Sequence, residues 1–181
     1  MANALGKRRS SGFSMIEVLV TLVLISIGVL GMVALQARTI QYTQDAVQRN
    51  TAAMLANDLV ELMRAMPDGL DSFYKATSTT FPNLPAAGCT PLPADAAGQL
   101  SCWAERAKSA LPGASDLLNS EFYICRTTTA NTCSGSGDAI EIQLAWQVRS
   151  GDCMAPQVVE DEENEDSDSQ VVCHYRLRTQ I

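Results

Sequence analysis

The sequence predicts an α+β chain: one long N-terminal α-helix, its first half membrane-spanning, packed on a small antiparallel β-sheet head with disulfides. Three observations predict it. An apolar run near the N-terminus carries a single charged side chain, Glu17, between residues 13 and 35. An amphipathic stripe continues it to residue 66, and alternating strands fill the C-terminal third. All six cysteines, Cys89, Cys102, Cys125, Cys133, Cys153 and Cys173, lie beyond the helix, and none forms a C-x-x-C pair.

Taken in order, the apolar run at 1.5 Å per residue covers roughly 34 Å, enough to cross a bilayer core. Lys7, Arg8 and Arg9 precede it and only Arg38 follows closely, which puts the N-terminus in the cytoplasm and the rest outside. The run is too long for an ordinary secretory signal, and no A-x-A cleavage site closes it. A plain signal anchor gives no reason for Glu17, because a charge at the bilayer edge is expensive. Glu17 is therefore a functional candidate, against the alternative that it snorkels to the headgroups and favours the positive end of the helix dipole.

Within residues 43–66, Ala52, Leu55, Leu59, Leu62 and Met66 recur at gaps of three and four, a helical stripe that Pro67 and Gly69 end. Residues 67–100 are rich in Pro, Gly, Ala, Ser and Thr, with Pro82, Pro85, Pro91 and Pro93, and read as an extended loop. "CWAERAKSALPG" sets Trp103, Ala107 and Ala110 on one face of a short helix that Pro112 and Gly113 break. Aromatic and β-branched residues make 121–129 a strand, and "NTCSGSGD" a turn. In "AIEIQLAWQVRS", Ile140, Ile142, Leu144, Trp146 and Val148 face one way, and Glu141, Gln143, Gln147 and Arg149 the other. Val171, Cys173, Tyr175 and Leu177 alternate in a third strand. Such a sheet is expected to lay one face on the helix and leave the other wet.

An even number of cysteines beyond a membrane span suggests disulfides in an oxidising compartment, with reduced core thiols as the alternative. Six cysteines allow 15 pairings. Cys125–Cys133 and Cys153–Cys173 could each staple a local connection.

Little in the chain points to catalysis, a cofactor or a nucleic-acid partner. The formal charge is −7, and such a surface repels phosphate backbones. The acidic run "EDEENEDSDS" offers Glu160, Asp161, Glu162, Glu163 and Asp166 as a weak calcium alternative, without EF-hand spacing or glycine; a solvated, self-repelling hairpin loop is the plainer reading. His174 is the single histidine and points to the expected wet face, which argues against zinc. Ser136, His174 and Asp138 could be drawn as a triad, but no G-x-S-x-G elbow supports it. Trp103 and Trp146 suit core packing better than ligand stacking.

"GFSMIEVLV" after a short basic leader resembles the class III signal of type IV pilins and pseudopilins. "SIGVLGMVALQ" resembles the corresponding stretch of PilV-type minor pilins, with Ala34 where many major pilins have a helix-bending proline. "LPG" ahead of a strand is a further, weaker likeness.

The resemblance implies a pilin lollipop: leader 1–12, transmembrane and filament-core helix 13–36, amphipathic continuation 37–66 and periplasmic head 67–181. It implies cleavage by a prepilin peptidase between Gly12 and Phe13, N-methylation of Phe13, and an assembly role for Glu17. The partners it implies are other minor pilins, the major pilin, the inner-membrane assembly platform, a tip adhesin and membrane lipid, with no cofactor. Gly28 and Gly31 cost about 1 kcal/mol each against alanine in a helix. They either loosen the helix during assembly or let a neighbour pack closely. A secretion or competence pseudopilin shares this N-terminus, and a single-span anchored binding module or enzyme is the rival of another class.

Overall fold

The computed structural model describes residues 14–149, 153 and 170–181. Helix α1 runs Met15–Ala65 and stops one residue before Met66, whose successor Pro67 opens a 3-10 helix, Pro67–Phe73. Proline has no N–H to donate and tolerates the first turn only, so the chain changes helix type there. Helix α2 spans Ala96–Ala110, and a single turn, α3, spans Ala114–Leu117. Strands β1 (Tyr123–Thr127), β2 (Ala139–Arg149) and β3 (Gln170–Thr179) form an antiparallel sheet in the order β1-β2-β3. Register sets Tyr123 opposite Gln143 and Trp146 opposite Cys173. A single bridge between Lys75 and Ile124 extends the sheet beside β1.

The chain divides into two compact units, residues 1–41 and 42–181. In the first, α1 exposes every described side chain through Ile40, including Leu19, Leu22, Leu24, Ile27, Leu30 and Val33. In the second, Ala52, Ala56, Leu59, Val60 and Met63 of α1 are buried in one core with Leu100, Trp103 and Ala107 of α2 and Ile142, Leu144 and Trp146 of β2. The small Ala52 and Ala56 let neighbours approach the helix closely. The buried stripe is therefore rotated slightly from the expected one, leaving Leu55, Leu62 and Met66 half-buried at its edge.

Three expectations need correction. Residues 67–100 are not all loop, since the 3-10 helix opens them and α2 begins six residues earlier than expected, at Ala96. Asp95 caps α2 by accepting a hydrogen bond from Gly98 N at 2.7 Å, and Ala110 faces outward. The second face of the sheet is not wet at β2: Glu141 and Gln143 are both buried. Tyr123 Oη donates to Glu141 Oε1 at 2.6 Å, and Asn131 N donates to Glu141 Oε2 at 3.0 Å. Gln143 donates to Glu121 O at 2.7 Å and accepts from Arg176. Burial together with the Glu141 carboxylate pushes the Tyr123 hydroxyl up to about 12.

The connection from β1 to β2 folds back tightly. At Gly137 φ is +116°, and a Cβ there would stand 2.6 Å from the Thr127 carbonyl oxygen, so only glycine fits. Gly135 N donates to Arg126 O at 2.9 Å inside the same turn.

Candidate functional site

The site is the N-terminal half of α1, and its chemistry follows from exposure. Ser14 O accepts from Glu17 N at 3.0 Å and from Val18 N at 3.3 Å, which opens the helix. Glu17 therefore lies in the first turn, where a carboxylate favours the positive end of the helix dipole. It is exposed, and so are Met15, Ile16, Val18 and the apolar side chains that follow through Leu35. Helix α1 is long and apolar enough to cross a membrane, and its most apolar window is entirely unburied. Its hydroxyls fold back on the backbone: Thr21 Oγ1 donates to Val18 O at 2.9 Å and Ser26 Oγ to Leu22 O at 2.7 Å. Back-bonding of this kind satisfies polar groups that hydrocarbon could not. Glu17 is then the one charge in a surface otherwise suited to lipid or to another helix.

Gly28 and Gly31 have open space where a Cβ would stand. No contact among the described residues requires them. Gly12 and Phe13 fall outside the described residues, as does the acidic run with Glu160, Asp161, Glu162, Glu163 and Asp166.

The cysteines pair as Cys89–Cys102, Cys125–Cys133 and Cys153–Cys173, and none is free. The second and third are the local staples that spacing suggested; the first ties the proline-rich loop to α2, and nothing in the spacing singled it out. Sγ atoms of Cys153 and Cys173 approach the Asp45 carboxylate closely, but as a disulfide they offer no thiolate to a metal.

The triad drawn from sequence does not assemble. His174 Nε2 lies 3.0 Å from Glu121 Oε2, not against Asp138, and Ser136 sits in the β1–β2 turn, where its carbonyl accepts from Ser134 Oγ. Trp103 and Trp146 are core residues, and Trp103 Nε1 donates to Leu55 O at 2.9 Å, tying α2 to α1.

Two charged groups escaped the sequence reading. Lys75 is buried and donates to Phe122 O at 2.8 Å, Ala76 O at 3.1 Å and Asn119 O at 3.4 Å, with its ammonium over the Phe81 ring. Asp45 is buried in α1; Arg49 Nε donates to its Oδ2 at 2.8 Å and the guanidinium lies over Trp146. The spacing of four between Asp45 and Arg49 was the available signal for the pair. Nothing about a lone lysine in a Thr/Ser-rich loop announced that it would be enclosed.

The exposed apolar helix with one first-turn carboxylate and the small disulfide-bonded sheet point to a class: the chain is similar to type IV pilins. The prokaryotic N-terminal methylation motif matches residues 7–33. More particularly, residues 34–106 match the family described as Type IV pilin Tt1218, so the chain is similar to pilins of that kind from residue 34 of α1 through most of α2. No curated protein and no solved structure matches it. The methylation motif implies processing by a prepilin peptidase and assembly into pili, and with the apolar helix it supports membrane anchoring.

Proposed function

We propose that the chain is a minor pilin of the PilV type, inserted in the inner membrane with its N-terminus cytoplasmic and its head periplasmic. Prepilin peptidase cuts between Gly12 and Phe13 and methylates the new amine. The mature subunit joins other minor pilins and the major pilin on the assembly platform, primes the pilus, and stays in it or at its tip, serving twitching motility and adhesion. The chain is substrate and building block; the catalysis belongs to its peptidase. One observation carries this reading: beyond the basic leader stands a helix whose apolar side chains have no cover among the described residues and whose first turn holds a carboxylate. A lipid anchor has no use for that carboxylate. A helix that moves from lipid into a filament does, because the mature amine of a neighbour's Phe13 can pair with Glu17.

Mass spectrometry of the mature N-terminus tests the processing: N-methyl-Phe13 is expected, and an intact Met1 or a cut near Ala37 overturns the reading. A deletion strain tests the machine. Lost piliation and twitching with intact exoprotein secretion is expected, and the reverse phenotype moves the chain to the secretion pseudopilins.

A further inference from the structure

The two edges of the sheet are finished differently. On the β1 side the chain covers its own edge. Lys75 N donates to Ile124 O and Ile124 N to Lys75 O, both at 2.8 Å, and Gly135 N donates to Arg126 O at 2.9 Å. The polar backbone groups of Ile124 thus turn away from β2. By the alternation of an antiparallel ladder, those of Val172, His174, Arg176 and Arg178 turn away from β2 on the far side. Among the described residues nothing bonds these N–H and C=O groups.

Natural sheets blunt such an edge by keeping it short, bulging it, or placing proline or outward charge on it. Strand β3 does none of these. Its 10 residues, Gln170–Thr179, pair with β2 in unbroken register, and they include neither proline nor lysine. Its two arginines lean back over the sheet: Arg176 Nε donates to Gln143 Oε1 on β2, and Arg178 Nη2 to Thr128 O at 2.9 Å. Both acceptors are neutral, and neither guanidinium forms an ion pair among the described residues. The two stand on one face of the strand, since alternate residues share a face, and both are exposed.

We propose that β3 is a docking edge for an extended acidic segment of another protein, which adds to the sheet as a further strand; the proposal stands apart from the pilin reading. The main chain supplies the affinity, because an extended backbone presents donors and acceptors at the spacing of the free ones on β3. Charge selects the sequence. Each guanidinium keeps N–H donors beyond the single bond it makes, and carboxylates at alternate positions of an added strand meet them. His174, on the same face, already has Glu121 Oε2 at 3.0 Å, so the uncompensated charge belongs to the arginines. A second copy of this chain is the wrong partner: overlapping two β3 segments sets Arg176 and Arg178 against arginine or histidine, and like charges on opposed strands repel. A helix fits no better, since its N–H and C=O groups are used internally.

The test uses the full chain in detergent micelles and, as probe, a short synthetic peptide of alternating valine and glutamate. Calorimetry reads binding, and amide hydrogen exchange reads its place. Saturable binding is expected, with slowed exchange at Val172, His174, Arg176 and Arg178 and none at Ile124, whose N–H is already bonded. Replacing each glutamate by lysine, or N-methylating the amides along one edge of the peptide, should abolish it. Arg176→Gln combined with Arg178→Gln should weaken it several-fold while β2 exchanges as in the wild type. If that variant loosens β2, the lysine and N-methyl peptides, which need no variant, decide the question. No binding, equal binding of the lysine peptide, or binding that leaves the β3 amides exchanging as before overturns the proposal.

Discussion

Lys75 shows how one side chain can fasten a loop. Its ammonium is enclosed with three carbonyls and an aromatic face, and no carboxylate is among its hydrogen-bond partners. Burial lowers its pKa from 10.5 to about 8, because the charged form loses water that the carbonyls only partly replace. The unfolded lysine holds its proton up to about 10.5, whereas the folded one releases it near 8. Between those values the unfolded chain binds more protons, so this residue makes stability rise with pH. Tyr123 acts oppositely but later, since its hydroxyl keeps its proton in the fold from 10 to about 12. The clean window is therefore pH 8 to 10. Thermal unfolding across it should show a rising midpoint that Lys75→Met abolishes. The same variant leaves the Phe122 carbonyl without its partner and should lose roughly 1–3 kcal/mol near neutral pH in urea unfolding. An unchanged pH profile would show that the ammonium is not desolvated as the structure has it.

At the scale of elements, the sequence was legible wherever a residue's partner was local. Pro67 ended α1 two residues after Ala65, as expected, and the alternation in β2 and β3 placed Trp146 and Cys173 inward. What could not be read was cover supplied from far away. Glu141 and Gln143 alternate like solvent-facing residues, yet Tyr123, Asn131, Glu121 and Arg176 satisfy them in the interior. A period-2 pattern distinguishes polar from apolar, not solvated polar from buried and paired. The start of α2 was missed for another reason. Pro93 and the Ala-Ala-Gly that follows Asp95 look like loop, and the helix there depends on one cap. Asp95 accepts from Gly98 N, and Gln99 N donates to Asp95 O at 3.1 Å. Asp95→Ala should therefore cost about 1 kcal/mol, measured by chemical unfolding, whereas Asp95→Asn or Asp95→Ser should recover most of it. An α2 indifferent to all three would be held by Trp103 and the Cys89–Cys102 link alone.

For the whole molecule, the deciding question is what a single carboxylate does in an apolar surface that the chain leaves bare. If Glu17 merely tolerates the membrane, it can reach the headgroups from the first turn, and replacing it costs nothing. If it sets register in a filament, it must leave water with a partner, because an unpaired buried carboxylate is far costlier than a paired one. The two accounts agree on insertion and cleavage, which depend on the basic leader and the apolar run, and they part at assembly. Glu17→Ala should thus insert in the membrane and yield methylated Phe13 at the wild-type level, read by fractionation and mass spectrometry. Its share in sheared pili should fall several-fold. Glu17→Asp keeps the charge on a shorter arm and should recover part of that share, which an alanine-like loss of shape would not predict. Wild-type incorporation of Glu17→Ala would leave the carboxylate a snorkelling residue and return the origin of register to the packing of Gly28, Gly31 and their neighbours.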